Sequence, residues 1–282
     1  ADVGFFSFIG YSWLGWMLRP KLAPGTRCAL EHGGAAPVIV DKDVDVAQIV
    51  PVLLKGGFYH AGQVCVSVQR VFVEQSRLAE LGKALPEQAQ RVVVGDRKDP
   101  RTDVGPLITP REVDRVAQWV DEAVAAGATL LCGGSKISDT CYAPTVLLNP
   151  PAEAKVSTLE VFGPVVCLYG YIDRSQAIEA ANALSVHFQA AVFTKNLDVA
   201  LECVNRLNAS AVMVNDHTAF RVDWMPFGGR DTSGLGMGGI AYSMLVRWLV
   251  RRLAQPGMVA VGGGVLFLCF AITRVAPGLG IV

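Results

Sequence analysis

Between positions 165 and 215 short apolar runs alternate with segments of helical periodicity, and this alternation limits the possible folds most sharply. Val165 to Tyr171 predicts a strand and Ser175 to Leu184 a helix. Ala190 to Thr194 predicts the next strand, Leu197 to Leu207 the next helix, and Ala211 to Asn215 a further strand. Strands joined through helices pair in parallel, because each crossover helix returns the chain to the same end of the sheet. Upstream, Pro37-Val38-Ile39-Val40 runs into acidic residues and predicts a buried strand. Thr109 is placed to cap a helix with Pro110 in its first turn. Val113, Val116, Val120, Ala123 and Val124 then recur at helical spacing, and Gly127 ends the segment. The expected fold class is α/β with a largely parallel sheet. Gly- and Pro-rich joints at 33–37, 105–110 and 226–239 predict loops or sharp turns.

The 282 residues, 51% hydrophobic, suffice for one large domain or two modest ones. Lys and Arg total 25, as do Asp and Glu, which leaves no electrostatic case for nucleic-acid binding. The cysteines stand at 28, 65, 132, 141, 167, 203 and 269, with no CxxC pair or zinc spacing. They predict reduced thiols in a cytoplasmic protein, no metal site, and at most one cysteine with a chemical role. Phe5 to Leu18 is apolar, but Gly10 and Gly15 interrupt it and no basic segment precedes it, unlike a secretory leader. The end of the chain differs in character. Arg247, Arg251 and Arg252 lie among apolar residues, and 253–273 carries no charge, a length near the ~20 residues of a bilayer crossing. Gln255, Pro256 and the glycines at 262–264 oppose that reading, so a membrane segment and a buried or non-native tail both stay open.

Four short motifs can carry chemistry. Gly62-Gln63-Val64-Cys65 sets a cysteine after a glycine turn and before an apolar run, where backbone N–H groups would favour its thiolate. Glu31-His32-Gly33-Gly34 sets a carboxylate beside a turn that can reach into a cleft. Glu160-Val161-Phe162-Gly163-Pro164 sets an acid suited to ribose hydroxyls two residues from an aromatic that can pack on a flat ring. Pro226-Phe227-Gly228-Gly229 leads into Ser233-Gly234-Leu235-Gly236. Alone, the first reads more readily as a core cysteine and the second as a solvated turn, and the other two read also as a strand-to-turn boundary and a flexible glycine loop.

Together these motifs resemble the aldehyde dehydrogenase superfamily, in the family's order and with the family's separation between Glu31 and Cys65. Phe8-Ile9-Gly10-Tyr11 with Gly15, Gly95-Asp96, Thr102 to Ile108 and Pro144-Thr145-Val146-Leu147 extend the resemblance over about residues 5–244. It implies an NAD(P)-dependent oxidation of an aldehyde to a carboxylic acid through a thiohemiacetal and a thioester. Cys65 would be the nucleophile and Glu31 the general base. Gly10, Gly33, Glu160 and Phe162 would contact NAD or NADP. The substrate pocket would draw on Tyr59, His60, Val64, Val66, Arg221 and Trp224. Arg221 could pair with an anionic substrate group or with Asp223.

The resemblance also implies an organisation: residues 1–32 as the end of a Rossmann-like cofactor domain, 33–244 as the catalytic domain, and 245–282 as a divergent Arg-rich tail. It implies that the strand–helix units for adenosine and pyrophosphate, and an upstream asparagine donor to the oxyanion, lie outside this sequence. Family members form homo-oligomers. The competing readings are a CoA-acylating relative, against which Glu31 argues, a semialdehyde-specific relative, and a non-catalytic remnant tethered to a membrane through 253–273.

Overall fold

The computed structural model describes residues 3–222 and 225–236. In chain order the elements are β1 (Phe5–Ile9), α1 (Ser12–Leu18), β2 (Arg27–Glu31), β3 (Ala36–Val40), α2 (Val46–Phe58), β4 (Val68–Glu74) and α3 (Gln75–Ala89). Then come α4 (Pro110–Ala125), β5 (Thr129–Cys132), β6 (Thr145–Leu148), α5 (Lys155–Thr158), β7 (Val165–Tyr171) and α6 (Arg174–Asn182). The last are β8 (Val186–His187), β9 (Gln189–Phe193), α7 (Leu197–Arg206), β10 (Ala211–Val214), β11 (Arg230–Asp231) and β12 (Gly234–Leu235). A seven-stranded sheet runs in the order β10-β9-β3-β4-β7-β6-β5. Its pairs are parallel except β5 with β6.

The sheet carries helices on both faces, and the period-2 alternation of its strands explains why. Val38, Val40, Val71 and Val73 join one core with Ile49 and Leu53 of α2, Leu81 of α3, and Val113, Val116 and Val120 of α4. The residues between them, Ile39 and Phe72, join Val192 in a second core with Ile178 of α6 and Cys203 of α7. Successive side chains point to opposite faces of a strand, so near-continuous apolar runs are what a sheet covered on both sides requires. Arg70 is the polar exception. It is 3% exposed, and its guanidinium donates to the carbonyls of Ala35 (2.9 Å), Ala180 (3.2 Å) and Ala181 (2.9 Å), which ties β4 to the start of β3 and the end of α6.

The α/β expectation holds, with local differences. The expected strand at 165–171 is β7, and the alternation that follows it becomes α6, β9, α7 and β10 with ends moved by a residue or two. Thr109 precedes α4 with Pro110 in the first turn, yet its side chain makes no capping hydrogen bond. The joint at 33–37 is shorter than expected, because Ala36 and Pro37 already pair with β4. The glycine-rich stretch after 226 is not a free loop. β11 pairs with β8, and β12 pairs antiparallel with β2. A small three-stranded sheet, β1-β2-β12, thus joins residues from both ends of the described chain. Among the described residues no helix is long and apolar enough to cross a membrane. The run 253–273 lies outside them.

Candidate active site

The segment before Cys65 is shaped by glycines and backbone strain. A Cβ on Gly56 would lie 2.5 Å from Cβ of His217, and one on Gly57 would lie 2.6 Å from Cγ2 of Val166. Their absence lets the end of α2 lie against the sheet. The chain then turns through three consecutive left-handed residues, His60 (φ 52°), Ala61 (φ 57°) and Gly62 (φ 69°). Backbone strain held in place by packing is typical of functional sites. A Cβ on Gly62 would stand 2.1 Å from the carbonyl oxygen of Gly163, so the Cys65 turn and the Glu160–Pro164 loop meet at this point. Gln63 reinforces the contact with a neighbouring loop: its Oε1 accepts from Ile108 N (2.9 Å) and its Nε2 donates to Pro106 O (3.3 Å).

Glu31 arrives from the other side. It ends β2, pairs with Ile9 of β1 and Gly234 of β12, and its carbonyl accepts from Gly10 N (3.1 Å). His32 follows, 2% exposed, with its Nδ1 3.1 Å from Gly10 O and its ring between Phe8 and Trp16. Burial lowers the His32 pKa, so the imidazole stays neutral and Nδ1–H is the donor. Ser233 braces the next turn, donating from Oγ to Gly33 O (2.8 Å).

These segments enclose a cleft of about 660 Å³ lined by Gly10, Glu31, Gly33, Cys65, Glu160 and Phe162 among others. Every residue in the expected nucleophile, base and cofactor set therefore faces one space. Glu160 accepts from Gly34 N (3.3 Å). Burial pushes its carboxyl up to about 7, although the Gly34 N–H and the Arg115 charge work against the rise. A Cβ on Gly33 would fall 1.7 Å from its Oε2. Phe162, at φ 46°, is 39% exposed and lines the cleft.

The expected partial ionisation of Cys65 is corrected. Burial pushes the thiol up to about 12, and the nearby Glu160 and Glu31 carboxylates push the same way. The Cys65 backbone N–H and the Arg221 charge pull down, and lose.

The expected substrate wall divides. Val64 lines the cleft, whereas Val66, 3% exposed, is core, packed with Phe188, Ala219 and Phe227. Tyr59 packs on that cluster beside Cys65. His60 is exposed, packs against Tyr59 with the ring centroids 4.5 Å apart and the planes tilted by 50°, and does not line the cleft. The Arg221 guanidinium lies 4.0 Å over the Phe227 ring. Trp224 and the alternative partner Asp223 lie outside the described residues.

Sequence reasoning passed over two residues that shape this space. Gln69 and Arg115 hold the segment that carries Glu160. Gln69 sits inside an apolar run as a lone amide, which was a usable signal; the Val161 carbonyl that Arg115 grips is distant in sequence.

Comparison with known proteins agrees with the geometry. The profile of the aldehyde dehydrogenase family matches residues 1–248. The chain is 37% identical over 243 residues to a 3-sulfolactaldehyde dehydrogenase of Priestia aryabhattai, covering 86% of this chain and 50% of that protein. Among solved structures, aldehyde dehydrogenase 21 of Physcomitrella patens, in complex with its reaction product succinate, superposes with a TM-score of 0.83 at 34% identity, covering 86% of this chain and 51% of that one. A glyceraldehyde-3-phosphate dehydrogenase of Methanocaldococcus jannaschii complexed with NADP gives 0.82 at 35% identity, with 86% and 52% covered. The chain thus spans about half the length of the curated relatives it matches. It belongs to the aldehyde dehydrogenase family.

Proposed function

We propose that this chain supplies the catalytic centre of an enzyme that oxidises an aldehyde to a carboxylic acid with NAD(P)+. The observation that carries the reading is the meeting of the Cys65 thiol with the Glu31 and Glu160 carboxylates on one cleft.

Cys65 would form the bond to the aldehyde carbon, and its backbone N–H would donate to the developing oxyanion. Its thiol is held protonated, so attack requires a base that takes the proton as the bond forms. Glu31 serves as that base, releases the proton to solvent, and as a carboxylate again takes a proton from the water that hydrolyses the thioester, with the Cys65 thiolate as leaving group. The nicotinamide end of a dinucleotide fits the cleft. Glu160 is a half-buried carboxylate with one described donor, at 3.3 Å, so it keeps acceptor capacity for a ribose diol. Phe162 offers an exposed ring, and Gly10 and Gly33 let the ligand approach the backbone. When bound, the cofactor supplies the hydride acceptor. Residues 1–32 would be the end of the cofactor domain and 33–244 the catalytic domain.

The position of Arg221 favours an aldehyde with an anionic group near the reacting carbon. Its charge reaches Cys65, and the ring of Phe227 holds it in place. Relatives that act on 3-sulfolactaldehyde or yield succinate fit that class.

The test is NAD(P)+ reduction by a panel of neutral and anionic aldehydes, beside Cys65→Ala and Arg221→Met. Turnover that is lost in Cys65→Ala, and a KM raised for anionic aldehydes alone in Arg221→Met, supports the reading. Full turnover in Cys65→Ala refutes the nucleophile, and acyl-CoA formation without free acid refutes hydrolysis.

A further inference from the structure

We propose that Gln69 is the positioning residue for Glu160: its buried amide grips the peptide groups on both sides of that carboxylate and fixes where it stands in the cleft. Gln69 lies on β4 and is 4% exposed. Its Nε2 donates to the carbonyls of Leu159 (2.8 Å) and Val156 (2.9 Å), and its Oε1 accepts from Val161 N (2.9 Å). Leu159 O and Val161 N belong to the two peptide units that flank the Glu160 Cα. A primary amide is the side chain that can donate twice and accept at once, and asparagine, the other residue that carries one, is a methylene shorter and does not reach all three groups from β4. Between α5 and β7 the backbone is held at its ends, where Leu159 N donates to Lys155 O (2.8 Å) and Thr145 N donates to Pro164 O (2.9 Å), but among the described residues 160–162 make no backbone–backbone hydrogen bond. Its other side-chain hold is Arg115, whose Nη2 donates to Val161 O (2.7 Å) from α4.

The consequence is electrostatic. Cys65 is faced by Glu160, by Glu31 from β2, by Arg221 and by Tyr59. A Glu160 freed from the grip moves toward water, because its burial is what opposes its ionised form. Its charge then acts less on the thiol.

The inference rests on the proposed site for its importance, but its test reads the thiol rather than turnover, so the two can fail separately. The rate of Cys65 alkylation by iodoacetamide, located by peptide mass spectrometry, is followed against pH. The proteins are the full chain, Gln69→Met, Gln69→Asn, Glu160→Gln and the Gln69→Met/Glu160→Gln double variant. Both Gln69 variants are neutral, and Gln69→Asn keeps the test open if Gln69→Met does not fold. The profiles of Gln69→Met, Gln69→Asn and Glu160→Gln are expected to shift to lower pH. The double variant is expected to match Glu160→Gln. Wild-type profiles in the folded Gln69 variants overturn the proposal. So does a Gln69→Met shift that persists in full on the Glu160→Gln background, because Gln69 would then act on the thiol by another route. An unshifted Glu160→Gln profile overturns it as well.

Discussion

Gly62→Ala is expected to be the most damaging single-methyl change near the cleft. Two costs add. A non-glycine residue at φ 69° carries a left-handed penalty of about 1–2 kcal/mol. The new Cβ also stands 2.1 Å from the Gly163 carbonyl oxygen and 2.5 Å from its carbon, which are backbone atoms that cannot rotate away. Overpacking of this kind costs about 1–3 kcal/mol, so the total is about 2–5 kcal/mol. For a domain of this size each kcal/mol lowers Tm by about 2–4 °C, giving a fall on the order of 5–20 °C. Gly25→Ala is the control, because Gly25 has φ +86° but nothing within 4 Å of the added carbon. It should show the left-handed penalty alone. Differential scanning calorimetry of the two variants separates the terms. If Gly62→Ala melts no lower than Gly25→Ala, the Cys65 turn and the Glu160–Pro164 loop are not in contact through this glycine, and the reasoning fails.

Three further outcomes are expected. The Glu160 carboxyl is raised from 4.5 to about 7 by folding, so its contribution to stability is complete below pH 4.5 and is lost as pH rises through 7, a change on the order of 3 kcal/mol. Urea unfolding of Glu160→Gln should therefore depend less on pH between 4.5 and 8 than the parent; parallel profiles refute the shift. Gly33→Ala places its Cβ on the movable carboxylate of Glu160, so Tm should barely change while NAD(P)H affinity, read by fluorescence, falls about 10–100-fold, the equivalent of a charge-assisted hydrogen bond. Unchanged affinity would separate Glu160 from the cofactor. Arg70→Met strands the carbonyls of Ala35, Ala180 and Ala181 and should cost about 3 kcal/mol or more in urea titration, whereas a loss below about 1 kcal/mol contradicts their dependence on Arg70.

The α/β class was legible because strands covered on both faces are written as apolar runs, as in Val38 to Val40 and Val165 to Tyr171. The convergence of Glu31, Cys65, Glu160 and Phe162 was legible through motif order, since each sits at the end of an element or in the turn beside one. Burial was not. Val66 and Val64 are identical in type and two residues apart, yet Val66 is core and Val64 faces the cleft. His60 looked like pocket wall, but its left-handed backbone carries it out of the cleft onto Tyr59. The pairing of β12 with β2 was hidden because it joins residues about 200 positions apart, through a strand of two residues. The ionisation of Cys65 was misjudged because local turn geometry says nothing of how far the thiol is buried, nor of the two carboxylates that distant segments bring to it.

The most direct test of the proposed chemistry is mass spectrometry of Glu31→Gln after incubation with NAD(P)+ and an aldehyde that the parent protein oxidises. With hydrolysis slowed, an acyl group from the substrate should accumulate on the peptide that contains Cys65, in step with NAD(P)H formed. NAD(P)H formation with Cys65 unmodified, or an acyl group on another cysteine, would contradict covalent catalysis by Cys65.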